Sequence, residues 1–323
     1  MTEDAFVTNF TAGFCSSRCF FLPPHRLEKA REIEWIDQFH IYVIVRARRV
    51  RLVPSSIKFD GAKVTYTVKV GHDFSEKFHD FGFPEDWGIK EFEATDGGGR
   101  NFRMVSDKGP TGGDFPMLWM LNGKFPEARI HEVVYIGQAY GADGQRNVID
   151  RLLRHETLQR IVAENAADSP DTDVYVYGFQ YQDNNQVFIT FDGRDKSLIG
   201  DERDRERLMK ALDNPIGDKE MTQIVEAGLI RYFQPIYNKK FKEIFPNSEY
   251  GFLSDLKHFE YEGFIVEIDT EDLHTRLKSS TFPAGSHHTA TYQIKPGFKI
   301  KGWLGFMGLL EGTGLHPSSG PMF

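Results

Sequence analysis

Cysteine is scarce: Cys15 and Cys19 are the only two in 323 residues. A pair is too few for a disulfide framework and fits a reducing, cytoplasmic setting. Long apolar runs are missing as well. No stretch of eighteen or more apolar residues occurs, so no membrane contact through a spanning helix is expected. The opening MTEDAFVTNF is acidic and has no basic segment leading into an apolar one, which is not the pattern of a secretory signal. Positive charge is the third shortage. Lys and Arg total 39 against 47 Asp and Glu, a net charge of -8. Proteins that coat nucleic acid without sequence preference depend on counterion release at many cations, so this balance argues against that class. It leaves room for an enzyme with a local basic face. The cations are clustered at Arg46, Arg48, Arg49 and Arg51, at Arg146, Arg151, Arg154 and Arg160, and at Arg231, Lys239, Lys240 and Lys242. Internal repeats and coiled-coil heptads are also absent, and Gly97-Gly98-Gly99 precedes no helix carrying the lysine of a phosphate-binding loop.

What is present is a large apolar fraction, 40%, with 28 phenylalanines, enough for a core of bulky side chains. Alternation and short apolar runs predict strands at 39–53 (one long strand or a bent pair), 63–70, 91–95, 101–106, 117–121, 132–136, 173–180, 186–191, 259–269 and 289–300. Apolar spacing predicts helices at 26–38, 147–164, 201–212, 219–233 and 270–278. The whole reads as an α+β protein. The Gly/Pro/Asp stretch 107–116 is the best internal boundary. It divides the chain into three regions: a β-rich 1–112, a middle 113–245 ordered β-β-α-β-β-α-α, and a small α+β region 246–323 whose Gly/Pro/Ser-rich tail keeps enough apolar residues to dock in part.

The chemistry concentrates in the middle region. Tyr135-Ile136-Gly137 ends a strand. Arg151 and His155 are four apart, a spacing that places both on one helix face. Glu226 lies on a later helix, and Pro235 and Asn238 come after it. A phenol, a guanidinium, an imidazole, a carboxylate and an amide suit metal-assisted cleavage of a phosphodiester. Each alone has a plain reading: edge packing for Tyr135, a solvated face for Arg151 and His155, a turn for Asn238. Their order is what carries weight.

These groups, with Leu229-Ile230 before Pro235, resemble the GIY-YIG nuclease superfamily over roughly residues 115–242. The resemblance implies a GIY-YIG-like β-β-α-β-β-α module, flanked by parts that select the nucleic acid. It implies hydrolysis of DNA by an endonuclease, in settings that include bacterial restriction and phage defence. Glu226 would hold one Mg²⁺ (or Mn²⁺), Arg151 would contact the scissile phosphate, and Tyr135 would orient or deprotonate the water. His155 would be a second proton-transfer or phosphate group, Asn238 a brace, and Gly137 a site of close packing. The partner is nucleic acid, and a two-strand break by one site per chain favours a homodimer. The sequence departs from the pattern in two ways. The strand before Tyr135, Met117-Leu118-Trp119-Met120, lacks the expected tyrosine. Trp119 stands in its place and cannot act as a base. The link from Ala139 to Asn147 is longer than usual, and Tyr140 within it is a candidate for the missing phenol. Both departures fit an alternative, an inactive scaffold of this fold that binds nucleic acid or a protein.

Two weaker signals remain. Cys15 and Cys19 with His25 resemble half a zinc site with no second half, and read better as reduced structural cysteines. The Arg46–Arg51 cluster fits equally a phosphate-binding strand or the polar face of a sheet.

Overall fold

A computed structural model describes residues 6–7, 10–33, 35–71, 75–83, 85–95, 98–110, 115–116, 126–141, 146–181, 185–189, 199–200, 202–243, 245–246, 250–294 and 318–319. The protein is a mixed α+β chain with several sheets. None of the described helices is long and apolar enough to cross a membrane. The strand expected at 117–121, with Trp119, and most of the tail after residue 294 lie outside the described residues.

The chain forms two compact units. The first gathers residues 1–45, 132–158 and 176–323, and the second residues 46–131 and 159–175. Each therefore draws on more than one of the three regions marked out by sequence.

The first unit holds two five-stranded sheets. One runs in the order Arg276–Lys278, Ile130–Gln138, Ile41–Arg48, Thr172–Gln180, Arg18–Leu22. The strand Ile41–Arg48 enters as an unbroken buried run, IYVIV, the signature of a central strand covered on both faces. It is this order that sets the strand bearing Tyr135 directly beside the strand bearing Tyr42. The other sheet is built on Gly263–Asp269, which pairs antiparallel with His287–Gln293 and parallel with Phe10–Phe14.

The helix Asp218–Phe233 is buried on nearly every side, with ten of its sixteen residues in the core. Burial of this extent places the helix inside the unit, with its charged side chains confined to Asp218, Lys219, Glu220, Glu226 and Arg231. Gly228 lies against Val266 and Tyr292 of the second sheet, and the Tyr292 hydroxyl donates to the Gly228 carbonyl at 2.5 Å. Glu226, two residues earlier, points away from that contact, because successive helical residues turn by about 100°. Its carboxylate meets the backbone N–H of Gln138 at the end of the Tyr135 strand.

The second unit is largely β. Lys63–Val70 alternates as the sequence predicts, with Val64, Tyr66, Val68 and Val70 buried, and pairs antiparallel with Ser75–Gly82. The expected hairpin forms as Ile89–Ala94 against Asn101–Ser106. Tyr66, Phe92 and Phe102 stack in series. Gly99 has φ +62, and a Cβ there would run into the Leu52 carbonyl, so only glycine fits. Arg51 grips Asp173 with two hydrogen bonds of 2.7 and 2.9 Å, and Arg49 adds a third at 3.2 Å. Those two arginines serve an internal ion pair.

Four expected elements are changed or settled on folding. The helix at 26–38 is one α-turn, Leu27–Ala30, succeeded by 3₁₀-type bonds from Arg31, Glu32 and Ile33. The stretch 39–53, a long strand or a bent pair by sequence, is the pair: it breaks at Arg49, whose N–H turns aside to the Asp171 carbonyl. The helix at 270–278 is instead a turn and a short strand, Arg276–Lys278. Thr270 forces that turn by donating its hydroxyl to the Thr275 and Ser286 carbonyls, and His274 takes φ 51. The fourth change, in the helix at 147–164, falls in the candidate site.

Candidate active site

The helix at 147–164 is two helices, Val148–Leu153 and Glu156–Asp168. Asn147 caps the first by accepting the Asp150 N–H at 3.0 Å, while its amide donates to Asp37 at 2.7 Å. Arg151 sits on this first helix. His155 lies past its end, in the N-cap position of the second, where its Nδ1 accepts the Leu158 N–H at 3.1 Å. The expectation that Arg151 and His155 share one helix face is thus corrected. The imidazole is aimed by a cap, a role usually taken by Ser, Thr, Asp or Asn.

That cap fixes the chemistry of the ring. An Nδ1 that accepts a backbone N–H carries no proton, so neutral His155 is protonated on Nε2. Nε2 lies 3.1 Å from the Tyr42 hydroxyl oxygen, and the bond is buried. His155 therefore donates to Tyr42. Burial pushes the His155 pKa down to about 4, helped by the nearby Arg151 charge, so the ring is neutral at physiological pH.

A phenol from a strand remote in the chain, Tyr42, lies beside Tyr135. It lies on Ile41–Arg48, is 1% exposed, and its ring stacks on Tyr135 at 6.1 Å and 25°. His155 sits across both rings, 5.5 Å from Tyr42 and 5.1 Å from Tyr135. Burial raises the Tyr42 pKa, the Tyr135 phenol and Glu226 raise it further, and the Arg151 guanidinium, also hydrogen-bonded to the hydroxyl, pulls it back. Tyr135 is half-buried and raised too, first by burial and then by Glu226. Its hydrogen bond with Tyr42 and the Arg151 charge oppose the rise.

Glu226 is raised to about 7 by burial, against the Gln138 N–H and the charges of Arg151 and Lys240. The fixed cations near this carboxylate thus compensate its charge only in part, which is the condition a bound divalent cation corrects. No cluster of three or more His, Cys, Asp or Glu side chains suited to a metal occurs among the described residues. One carboxylate fits Mg²⁺ (or Mn²⁺), which commonly keeps several waters and takes one or two protein carboxylates plus substrate phosphate.

The remaining residues hold this arrangement. Gly137 has no room for a side chain: a Cβ would collide with the Tyr42 hydroxyl and lie 3.0 Å from Tyr135 Cε1. Asn238 gives both ends of its amide to one residue of the strand, accepting the Ile136 N–H at 2.9 Å and donating to the Ile136 carbonyl at 2.8 Å. With the Tyr237 N–H on the Val134 carbonyl at 3.1 Å, it fixes the strand on either side of Tyr135. Asn238 is a positioning residue. Tyr140 stacks on His40, with ring centroids 4.9 Å apart, and its N–H bonds to the Gln138 side chain. His40 in turn receives the Ala139 N–H on its carbonyl.

The signal for Tyr42 is present in the sequence as His40-Ile41-Tyr42 at the head of an apolar β-branched run. It escapes a linear reading because the strand next to Tyr135 in the sheet is remote from it in the chain. Neither Cys15 nor Cys19 forms a disulfide, and Cys15 is buried with its thiol hydrogen-bonded to Glu267. Comparisons with protein-family models, curated proteins and solved structures return no match. A functional reading of the chain therefore rests on its own residues and their geometry.

Proposed function

We propose that this chain is a metal-dependent endonuclease of the GIY-YIG kind, hydrolysing phosphodiester bonds in DNA. The observation that carries the reading is the buried Tyr42 hydroxyl, 3.1 Å from His155 Nε2, hydrogen-bonded to Arg151, and stacked on Tyr135. Burying one phenol and half-burying a second beside a carboxylate and a guanidinium is costly for a merely structural cluster. It is the arrangement that proton transfer next to a phosphate requires.

Glu226 would hold the Mg²⁺ (or Mn²⁺), which supplies positive charge for the nonbridging phosphate oxygens. The residues of the chain do the rest. Arg151 presents a planar guanidinium to the phosphate and steadies negative charge on Tyr42. Nε2–H of His155 donates to the same oxygen, so two donors favour its phenolate. Once Tyr42 has released its own proton to solvent, against the burial that favours the neutral phenol, its Oη accepts the proton of the attacking water, and the leaving oxygen is protonated from solvent. Tyr135, stacked alongside, orients the water. Asn238 and Gly137 keep the two rings in register. Cutting both strands with one such site per chain calls for two copies, so a homodimer fits the activity.

The alternative is a catalytically silent scaffold that binds nucleic acid or a protein partner. Its support is Trp119 in place of a tyrosine on the strand preceding Tyr135 in the chain, together with the net charge of -8; Tyr42, on the neighbouring strand of the sheet, weighs against the first ground. Supercoiled plasmid incubated with Mg²⁺ separates the two. Nicked or linear product from the wild type, lost in both Glu226→Ala and Arg151→Ala, supports the nuclease. Binding without cutting supports the scaffold, and neither cutting nor binding overturns both.

A further inference from the structure

The segment after the Glu226 helix is held with unusual firmness. Gln234 ends the helix in the left-handed conformation, φ 52, and Phe241 is left-handed again at φ 64. A β-carbon makes this conformation costly, and non-glycine residues held in it concentrate at functional sites. Neighbours enforce both. The Gln234 amide donates to the Arg231 and Lys242 carbonyls at 2.7 and 2.6 Å, and the Arg231 guanidinium also bonds the Lys242 carbonyl. Lys242 Nζ donates to the Pro235 carbonyl at 2.9 Å. The Phe241 ring is driven into a cluster with Phe245, Tyr250 and Phe252. Tyr237 and Asn238 are bound to the Tyr135 strand.

What this bracing leaves outside is narrow in kind. Ile236 is 59% exposed, more than any other exposed large hydrophobic side chain described. Lys239 and Lys240 are exposed beside it, and the Lys240 charge is felt at Glu226. A lone exposed isoleucine on a mobile loop needs no explanation. One mounted on a doubly strained, cross-braced loop, between the helix of Glu226 and two lysines, does.

We propose that Pro235–Lys240 is a preformed contact loop for duplex DNA, in which Ile236 wedges against a base step in the minor groove while Lys239 and Lys240 hold flanking phosphates. Aliphatic wedges next to cations unstack a step and bend the duplex, and rigidity removes the ordering cost of binding. The inference rests on the nuclease reading and adds the form of its substrate: a duplex bent at the cut.

The test uses the full-length protein, a fluorescent duplex and the matching single strand, with Ca²⁺ in place of Mg²⁺ for binding and a parallel Mg²⁺ reaction for cutting. The readouts are binding anisotropy over a salt series and end-to-end energy transfer in the duplex. Lys239→Ala/Lys240→Ala is expected to lower the slope of log K against log salt by about 1.8, since each phosphate contact contributes about 0.9. Ile236→Ala is expected to keep the slope, weaken duplex binding roughly tenfold, spare the single strand and lose the bend. Its exposure predicts an unchanged melting temperature, so misfolding cannot mimic the result. If the wild type cuts DNA and both variants bind and bend like it, the loop proposal is overturned and the nuclease reading stands. If the wild type neither cuts nor binds, both fall together.

Discussion

His155 Nε2 lies 3.1 Å from the Tyr42 hydroxyl, and the opposite ring nitrogen, Nδ1, is occupied by the Leu158 N–H at the same distance. A helix cap thereby dictates which nitrogen faces the phenol. The ring cannot take a proton from Tyr42 without first surrendering its own.

Replacing His155 by Asn tests that arrangement through pH. The folded pKa, about 4, lies below the ordinary histidine value of 6.5. The unfolded chain therefore binds a proton first on acidification. The stabilising contribution of neutral His155 is whole above pH 6.5 and is lost as pH falls through 4, a drop of roughly 3 kcal/mol at about 1.4 kcal/mol per pKa unit. Asn can keep the cap and does not titrate. Denaturant midpoints measured from pH 7 to 4 should fall less steeply in His155→Asn than in the wild type. A residual slope should remain from His131, which burial lowers to about 3.

Asn238→Ala should act on the site through the strand. It removes two hydrogen bonds to the Ile136 backbone and leaves buried groups unpaired, at a cost of about 1–3 kcal/mol. A lower melting temperature is expected together with a fall in kcat, since Tyr135 is displaced. DNA affinity should change much less. A large loss of affinity with unchanged stability would instead make the amide a substrate contact.

Gly137→Ala should be damaging out of proportion to one methyl group. The added carbon meets the Tyr42 hydroxyl and Tyr135 together, neither of which can retreat from its packing. Overpacking of this kind costs about 1–3 kcal/mol. Loss of the ordered near-ultraviolet tyrosine signal alongside activity is the expected signature. A variant as stable and active as the wild type would show that the rings have slack.

Much of this site is legible in the sequence, for reasons that differ residue by residue. Tyr135, Gly137, Glu226 and Asn238 sit in short runs whose elements form where periodicity puts them. The helix break before His155 is only faintly marked, by the absence of any apolar residue from Arg154 to Thr157, between Leu153 and Leu158. Tyr42 is hidden by topology: residues 49–129, which lie in the second unit, separate its strand from the Tyr135 strand. At 270–278 the acidic start and polar composition suggest a helix. The hydroxyl of Thr270, bonded to two distant carbonyls, wins instead.

The most direct test of the proton-transfer role is single-turnover cleavage of a duplex oligonucleotide in Mg²⁺ by the wild type, Tyr42→Phe and Tyr140→Phe, each checked for retained DNA binding. If Tyr42 moves the proton of the attacking water, Tyr42→Phe slows the cleavage step by about 10²–10⁴ while Tyr140→Phe stays close to the wild type. Cleavage by Tyr42→Phe at the wild-type rate would contradict the central claim.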